Sequence, residues 1–310
     1  MISLGIDFGG TSIKSGVTDG GKIIAFGAPI ETQDFHGAAA ITQAIVESIG
    51  VIRQSHPGIA AIGMGLPGIV DSVNGIVHEL SNVPGWSEVP LRDIIGSAAG
   101  LPTIIENDAN AMAYGEWKYG AARGKLNVVC VTLGTGVGGG LILNGQLHRG
   151  ANLGAGEIGH MHYDPKGPAA IYGNTGAIEK IVGNREIIER MEAIYGSDFP
   201  NASPARLTEM AHSGDARANA LWEAIGTEIG IVLSDVVWLL NPDAIVLGGG
   251  VARAGELIFA PIRRAIAGRT ASVFHQNLAI VPAALGNDAG IVGSAALAED
   301  AIAFSKSVAA

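Results

Sequence analysis

The stretch Gly5-Ile6-Asp7-Phe8-Gly9-Gly10-Thr11-Ser12-Ile13-Lys14 carries an apolar run into an aspartate, two glycines and a hydroxyl residue. Alternation then resumes through Ile13, Gly16 and Val17 to a turn pair at Asp19-Gly20. A strand, a tight glycine bend and a second strand make a hairpin. Glycines let backbone N–H groups approach an anion closely, and Thr11 and Lys14 add donors, so Gly9-Gly10-Thr11 reads as a phosphate cradle. Asp7 beside it is a candidate to hold Mg²⁺ or its water.

The device recurs. Adding 125 to positions 7–11 lands on Thr132, Leu133, Gly134, Thr135 and Gly136, and Asp19-Gly20 lands on Asn144-Gly145. Two hairpins in one register point to a duplicated domain that holds nucleotide phosphates at Gly134, Thr135 and Gly136 as at the first bend. Two ordinary hairpins are the alternative. Gly134, Gly136 and Gly139 also satisfy a G-x-G-x-x-G spacing, but Leu141 to Leu143 continue as strand where a dinucleotide site would open a helix.

A chain of 310 residues is long enough for two domains. Hydrophobic residues reach 48% while aromatics are 5%, and there are 46 glycines, so packing must rely on small and aliphatic side chains. A net charge of −10 argues against a nucleic-acid partner, which needs clustered Lys and Arg. The single cysteine, Cys130, sits in an apolar run, which predicts a core position and excludes an intrachain disulfide. No apolar run approaches the ~18 residues of a membrane span. The chain starts on a strand rather than a signal segment, so a cytoplasmic protein is expected.

Along the chain, residues 22–29 read as a strand and Gly37–Ser55 as a helix. Residues 58–65 form an apolar strand that runs into Leu66-Pro67-Gly68, presenting bare backbone around Gly65 at a strand end where open α/β sheets bind ligands; a plain turn is the alternative. Asn82 lies in a polar loop closed by Trp86, a ring that either joins the core or faces a sugar. A strand over 102–105 delivers Glu106-Asn107-Asp108-Ala109-Asn110 to a helix start. There an Asn or Asp serves as a cap, or Asp108 serves as a general base.

Further on, Glu157 and His160 are three apart in a glycine-rich loop, either as sugar partners or as surface residues. Residues 173–179 lead into a helix through Arg190, followed by helices over 204–213 and 216–240. A buried strand over 244–247 ends in Gly248-Gly249-Gly250, bare backbone for a nucleoside or a simple turn. A strand over 278–282 and a closing helix over 289–303 complete the chain. The division is expected near Gly120, giving domains over 1–119 and 120–288, with the helix from 289 returning to the first.

These residues resemble the ROK family of sugar kinases, within the actin-like ATPase superfamily. The carriers are Asp7-Phe8-Gly9-Gly10-Thr11, Gly65-Leu66-Pro67-Gly68, Glu106 to Asn110, Leu133 to Gly140, Gly156-Glu157-Ile158-Gly159-His160 and Leu247 to Gly250. The resemblance implies an α/β chain of two ribonuclease-H-like domains whose cleft closes over a hexose and ATP. It makes Asp108 the base and Asn107, Glu157, His160 and Glu179 the sugar partners. Gly9, Gly10, Thr11, Gly134, Thr135 and Gly136 would hold phosphates, and Gly248, Gly249 and Gly250 the nucleoside. Family habit further implies a homodimer.

One departure stands out. Members usually carry a zinc site of one histidine and three cysteines from a C-x-C-G-x-x-G-C-x-E segment, and here Ala170, Tyr172 and Ala177 replace the cysteines. No structural zinc is therefore expected, and Glu179 must be held by local packing. The resemblance implies phosphorylation of a hexose, glucose first, with other hexoses and N-acetylhexosamines as alternatives and ATP or polyphosphate as donor. A sugar-responsive repressor is disfavoured because its DNA-binding segment would precede Asp7. A silent sugar-binding protein is disfavoured by the intact phosphate loops.

Overall fold

The computed structural model describes residues 1–80 and 83–308. The first part of the chain folds as β1 (Ile2–Phe8), β2 (Ser12–Asp19), β3 (Lys22–Phe26), β4 (Ile30–Glu31), α1 (Gly37–Ser55), β5 (Ile62–Leu66), β6 (Ile69–Asp71), β7 (Ile76–Glu79), β8 (Ser87–Val89), α2 (Leu91–Ala99), β9 (Thr103–Asn107) and α3 (Asp108–Lys118). Then come β10 (Val128–Leu133), β11 (Val137–Leu143), β12 (Gln146–His148), α4 (Glu179–Val182), α5 (Asn184–Tyr195), α6 (Pro204–His212), α7 (Ala216–Leu240), β13 (Ala244–Gly248), α8 (Glu256–Ala267), α9 (Ser272–His275), β14 (Ala279–Pro282) and α10 (Ala289–Val308). These elements form two compact units. One comprises Met1–Gly124, Leu147–Ala155 and Asn287–Ala310, and the other Lys125–Gln146 and Gly156–Gly286.

Each unit is built on a sheet of the same order. In the first, β3-β2-β1-β5-β9 are neighbours, with β4 on β2; the β1–β2 and β2–β3 pairs are antiparallel, and β1, β5 and β9 run parallel. The second repeats this as β12-β11-β10-β13-β14, with β10 antiparallel to β11 and parallel to β13, which is parallel to β14. The two hairpins are near copies rather than exact ones. Phe8 pairs Ile13 across a bend of four residues, whereas Leu133 pairs Val137 across a bend of three. The far turns are Gly20-Gly21 and Asn144-Gly145, all at positive φ as a type I′ turn requires. The first turn is therefore Gly20-Gly21 and not Asp19-Gly20, because Asp19 still pairs with Ile2. The extra residue in the first bend changes the offset between copies from 125 to 124.

Both faces of the first sheet are covered. Ile41, Ile45 and Ile49 of α1 and Leu91 and Ile95 of α2 join Leu4, Ile6, Phe8, Ile62, Met64, Leu66 and Ile105 in one core, each side chain contributing about 1.5–3 kcal/mol on burial. Trp86 belongs to it, 4% exposed and edge-on to Phe8 with ring centroids 6.0 Å apart. Against the other face, α10 lies so close that a Cβ at Gly5 would stand 1.9 Å from the Ile291 carbonyl oxygen, and one at Gly63 1.8 Å from that of Ser294. Glycine at these strand positions is what admits the helix. Cys130 is fully buried in β10.

Local chemistry sets the element ends. Ser203 caps α6 through the Arg206 N–H with Pro204 in its first turn, and Asp215 caps α7, which stops at Asn241 in the left-handed region. The helix expected to run through Arg190 is instead broken at Gly183, whose extended backbone separates α4 from α5. Between β5 and α2 the chain also forms a small antiparallel sheet, β6-β7-β8. Among the described residues no helix is long and apolar enough to cross a membrane.

Candidate active site

In the first unit, three parallel strands bring their C-terminal ends into line. Asp7 of β1 pairs with Gly65 of β5, which pairs with Glu106 of β9. Asp7 also lies opposite Lys14, which is exposed on β2. Burial raises the Asp7 carboxyl above the ordinary value, and the Lys14 charge opposes that rise. At the Gly9–Thr11 bend, Gly9 N–H donates to the Ser12 carbonyl at 3.0 Å. The Thr32 hydroxyl donates to the carbonyls of Gly10 and Thr11 at 3.1 and 3.0 Å, and Thr32 N–H donates to Thr11 again. Thr32 thus fixes the bend through its carbonyls, a role with no short-range signature in the sequence.

Asn107 ends β9 and caps α3, its Oδ1 accepting from the N–H groups of Ala109 and Asn110 at 3.0 and 3.2 Å. Such a cap is worth about 1 kcal/mol. Asp108 is the first residue of the helix, and its Oδ1 accepts from Ala109 N–H at 2.8 Å. A Cβ at Gly65 would stand 3.5 Å from the Asp108 Cα and 3.2 Å from the Ala111 Cβ, so bare backbone at Gly65 lies directly under the helix start. The structure therefore brings Asp7, Gly65, Asn107 and Asp108 to one strand end. Asn82 lies outside the described residues.

The second unit gathers its own set. Gly134 N–H donates to the Gly136 carbonyl at 2.9 Å within the bend, and the Gly134 carbonyl accepts from Asn184 N–H, also at 2.9 Å. The exposed Thr135 side chain lies between them. Glu179 starts α4 and turns its Oε2 onto this bend, accepting from Val137 N–H at 3.1 Å. Gly248 ends β13 opposite Thr132, and Gly249, at φ +87°, packs so tightly that a Cβ would stand 2.2 Å from the Leu133 carbonyl oxygen. Gly250 is exposed beside it. His160 Nε2 and Glu157 Oε2 are 3.8 Å apart, on a single 3₁₀ turn.

Residues 160–178 hold together without thiolates. Asn174 Nδ2 donates to the His160 carbonyl at 2.8 Å, Tyr163 N–H to the Gly176 carbonyl at 2.9 Å, and Ile178 N–H to the Met161 carbonyl at 2.9 Å. With Ala170, Tyr172 and Ala177 at the three sulfur positions, the donor set does not fit a zinc ion. Asp7 is a carboxylate of the kind that Mg²⁺ carried by a nucleotide asks for, one or two per ion, and it stands at the end of β1 next to the Gly9–Thr11 bend.

The chain is similar to known proteins over most of its length. The model of the ROK family matches residues 3–301. A glucokinase of Streptomyces coelicolor is 32% identical over 325 residues, covering 96% of this chain and 98% of its own. The crystal structure of a ROK family glucokinase from Streptomyces griseus in complex with glucose and AMPPNP superposes with a TM-score of 0.82 at 32% identity, covering 97% of this chain and 100% of that one. A xylose repressor of Bacillus spizizenii is 28% identical, covering 95% of this chain and 76% of the repressor. The chain belongs to the ROK family. It is a sugar kinase with the two-domain actin-like ATPase fold.

Proposed function

We propose that this chain transfers the γ-phosphoryl group of ATP to a hydroxyl of a hexose, with glucose as the first candidate. The observation that carries the reading is Asp108, the first residue of α3, whose Cα lies over the bare backbone of Gly65 at the strand end that also holds Asp7 and Asn107. Asp108 takes the proton of the attacking sugar hydroxyl, the step for which phosphoryl transfer needs a positioned base. Backbone amides at Gly10, Thr11, Thr135 and Gly136 hold the phosphates, Gly9 and Gly134 shape the two bends through their own N–H bonds, and Gly248 to Gly250 present bare backbone to the nucleoside. Glu157, His160, Glu179 and Asn107 offer acceptors and donors to sugar hydroxyls. Asp7 would hold Mg²⁺, which when bound neutralises phosphate charge.

Glucose is supported by the glucokinases that match end to end. The repressor relative keeps a sugar-binding regulator as the alternative. The experiment is ADP release from ATP with a panel of glucose, mannose, fructose, allose, N-acetylglucosamine and N-acetylmannosamine, with polyphosphate as a second donor. Turnover with glucose foremost supports the reading; sugar binding without turnover on any member supports the regulator instead.

A further inference from the structure

Glu106 immediately precedes the Asn107-Asp108 pair, yet nothing above gives it a task. Its side chain is 3% exposed. Oε1 accepts from the Asn107 N–H at 3.0 Å and from Asn110 Nδ2 at 3.1 Å, while Oε2 accepts from Arg149 Nε at 2.6 Å. A carboxylate taken out of water is tolerated only where hydrogen bonds and an opposite charge replace the water. Arg149 supplies that charge from a loop closed on itself by Ala155 N–H donating to the Arg149 carbonyl at 2.9 Å. The bonds from Asn107 and Asn110 lie on either side of Asp108 in the chain. One carboxylate thus clasps the strand end to the first turn of α3, with Asp108 between the two clasped points.

We propose that Arg149 is a positioning residue for Asp108, acting through Glu106. Without the guanidinium, Glu106 is left as an uncompensated buried charge and must turn toward water or take up a proton. Either change releases Asn107 or Asn110 and lets the helix start move. Displacement of a reacting group by about 1 Å costs roughly 10²-fold in rate. The proposal rests on Asp108 being the base.

The test compares the full chain with Arg149→Met, Glu106→Gln and the double variant, measuring kcat and both KM values by sugar-dependent ADP release, with melting curves alongside. Arg149→Met is expected to lose roughly 10²-fold in kcat with the KM for ATP little changed and a much smaller rise in the KM for sugar through Asn107. The double variant is expected to recover most of that loss, because the amide oxygen that Glu106→Gln introduces still accepts from Asn107 and Asn110 and no charge is stranded. If Arg149→Met does not fold, the double variant is judged against wild type alone, and a kcat near wild type supports the proposal. An unchanged kcat in Arg149→Met, a loss confined to KM, or a double variant as slow as a folded single one overturns it. A wild type with no sugar-dependent turnover defeats the kinase reading itself, which a normal wild type with unaltered variants does not.

Discussion

The carboxylate of Asp7 rests against Gly290 in the first turn of α10: a Cβ on Gly290 would stand 2.7 Å from Asp7 Cγ and within 3.0 Å of both its oxygens. Gly290→Ala is expected to swing the Asp7 side chain aside. The fold should lose about 1–3 kcal/mol from overpacking. The KM for Mg²⁺-ATP should rise at least severalfold, read from initial rates at varied nucleotide, and unchanged nucleotide kinetics would remove Asp7 from the proposed phosphate end.

Asp7 also predicts a pH-dependent stability. Burial raises its folded pKa above the unfolded value, so the folded chain keeps the proton to higher pH. Below the unfolded value both states are protonated and no penalty exists; above the folded value the buried charge costs stability in full. Asp7→Asn should therefore melt higher than wild type near about pH 7, with the advantage gone near about pH 3. Turnover should fall at the same time, a trade of activity against stability. Calorimetry across that range decides it.

Asp108→Asn should keep sugar affinity, measured by titration calorimetry, and lose roughly 10²–10⁴-fold in kcat. Retained turnover would rule out the proposed base.

Two glycine substitutions in the second unit should differ in kind. A Cβ on Gly136 would meet Glu179 Oε2 at 2.4 Å, the far end of a flexible side chain that can move away. Gly136→Ala should fold nearly as well as wild type but raise the KM for sugar, because Glu179 loses its bond from Val137. At Gly249 the obstacle is the Leu133 backbone and φ is +87°. Gly249→Ala should lower stability by about 1–3 kcal/mol, seen as a drop in melting temperature.

Zinc chelation with 1,10-phenanthroline should leave melting temperature and activity in excess Mg²⁺ unaltered. Asn174→Ala should instead loosen residues 160–178 and raise the KM for sugar, since Asn174 Nδ2 holds the His160 carbonyl. Loss of stability on chelation would contradict the first statement, and an unchanged KM for sugar in Asn174→Ala the second.

Much of the fold was legible because its signals are local. The helices Gly37–Ser55 and Ala216–Leu240 follow from apolar periodicity, and the paired hairpins from glycine bends between apolar runs. The break at Gly183 was not legible, since a glycine inside a helical pattern can be tolerated as well as interrupt it. The β6-β7-β8 sheet is made of strands three or four residues long, too short for alternation to register. At the candidate site, Asp7 was legible beside its glycine bend and Asp108 with Asn107 in the crowd of polar residues at a strand-to-helix junction, whereas Glu179 was reached only through the family resemblance. Thr32, Arg149 and Gly290 were not legible, because each acts on a residue far away in the chain.

By itself the sequence determined that the chain repeats one hairpin device, ends several strands in bare backbone, and sets a carboxylate at a strand-to-helix junction. Those are properties of neighbours within a few residues, where φ preference, periodicity and capping operate. Tertiary structure alone decided that Asn107 rather than Asp108 caps α3, that Trp86 packs on Phe8, and that Glu106 is clasped by Arg149. It also decided that α10 lies against Gly5 and Gly63. Burial, ion pairing and close backbone approach depend on which distant segments meet, and no local pattern encodes the meeting.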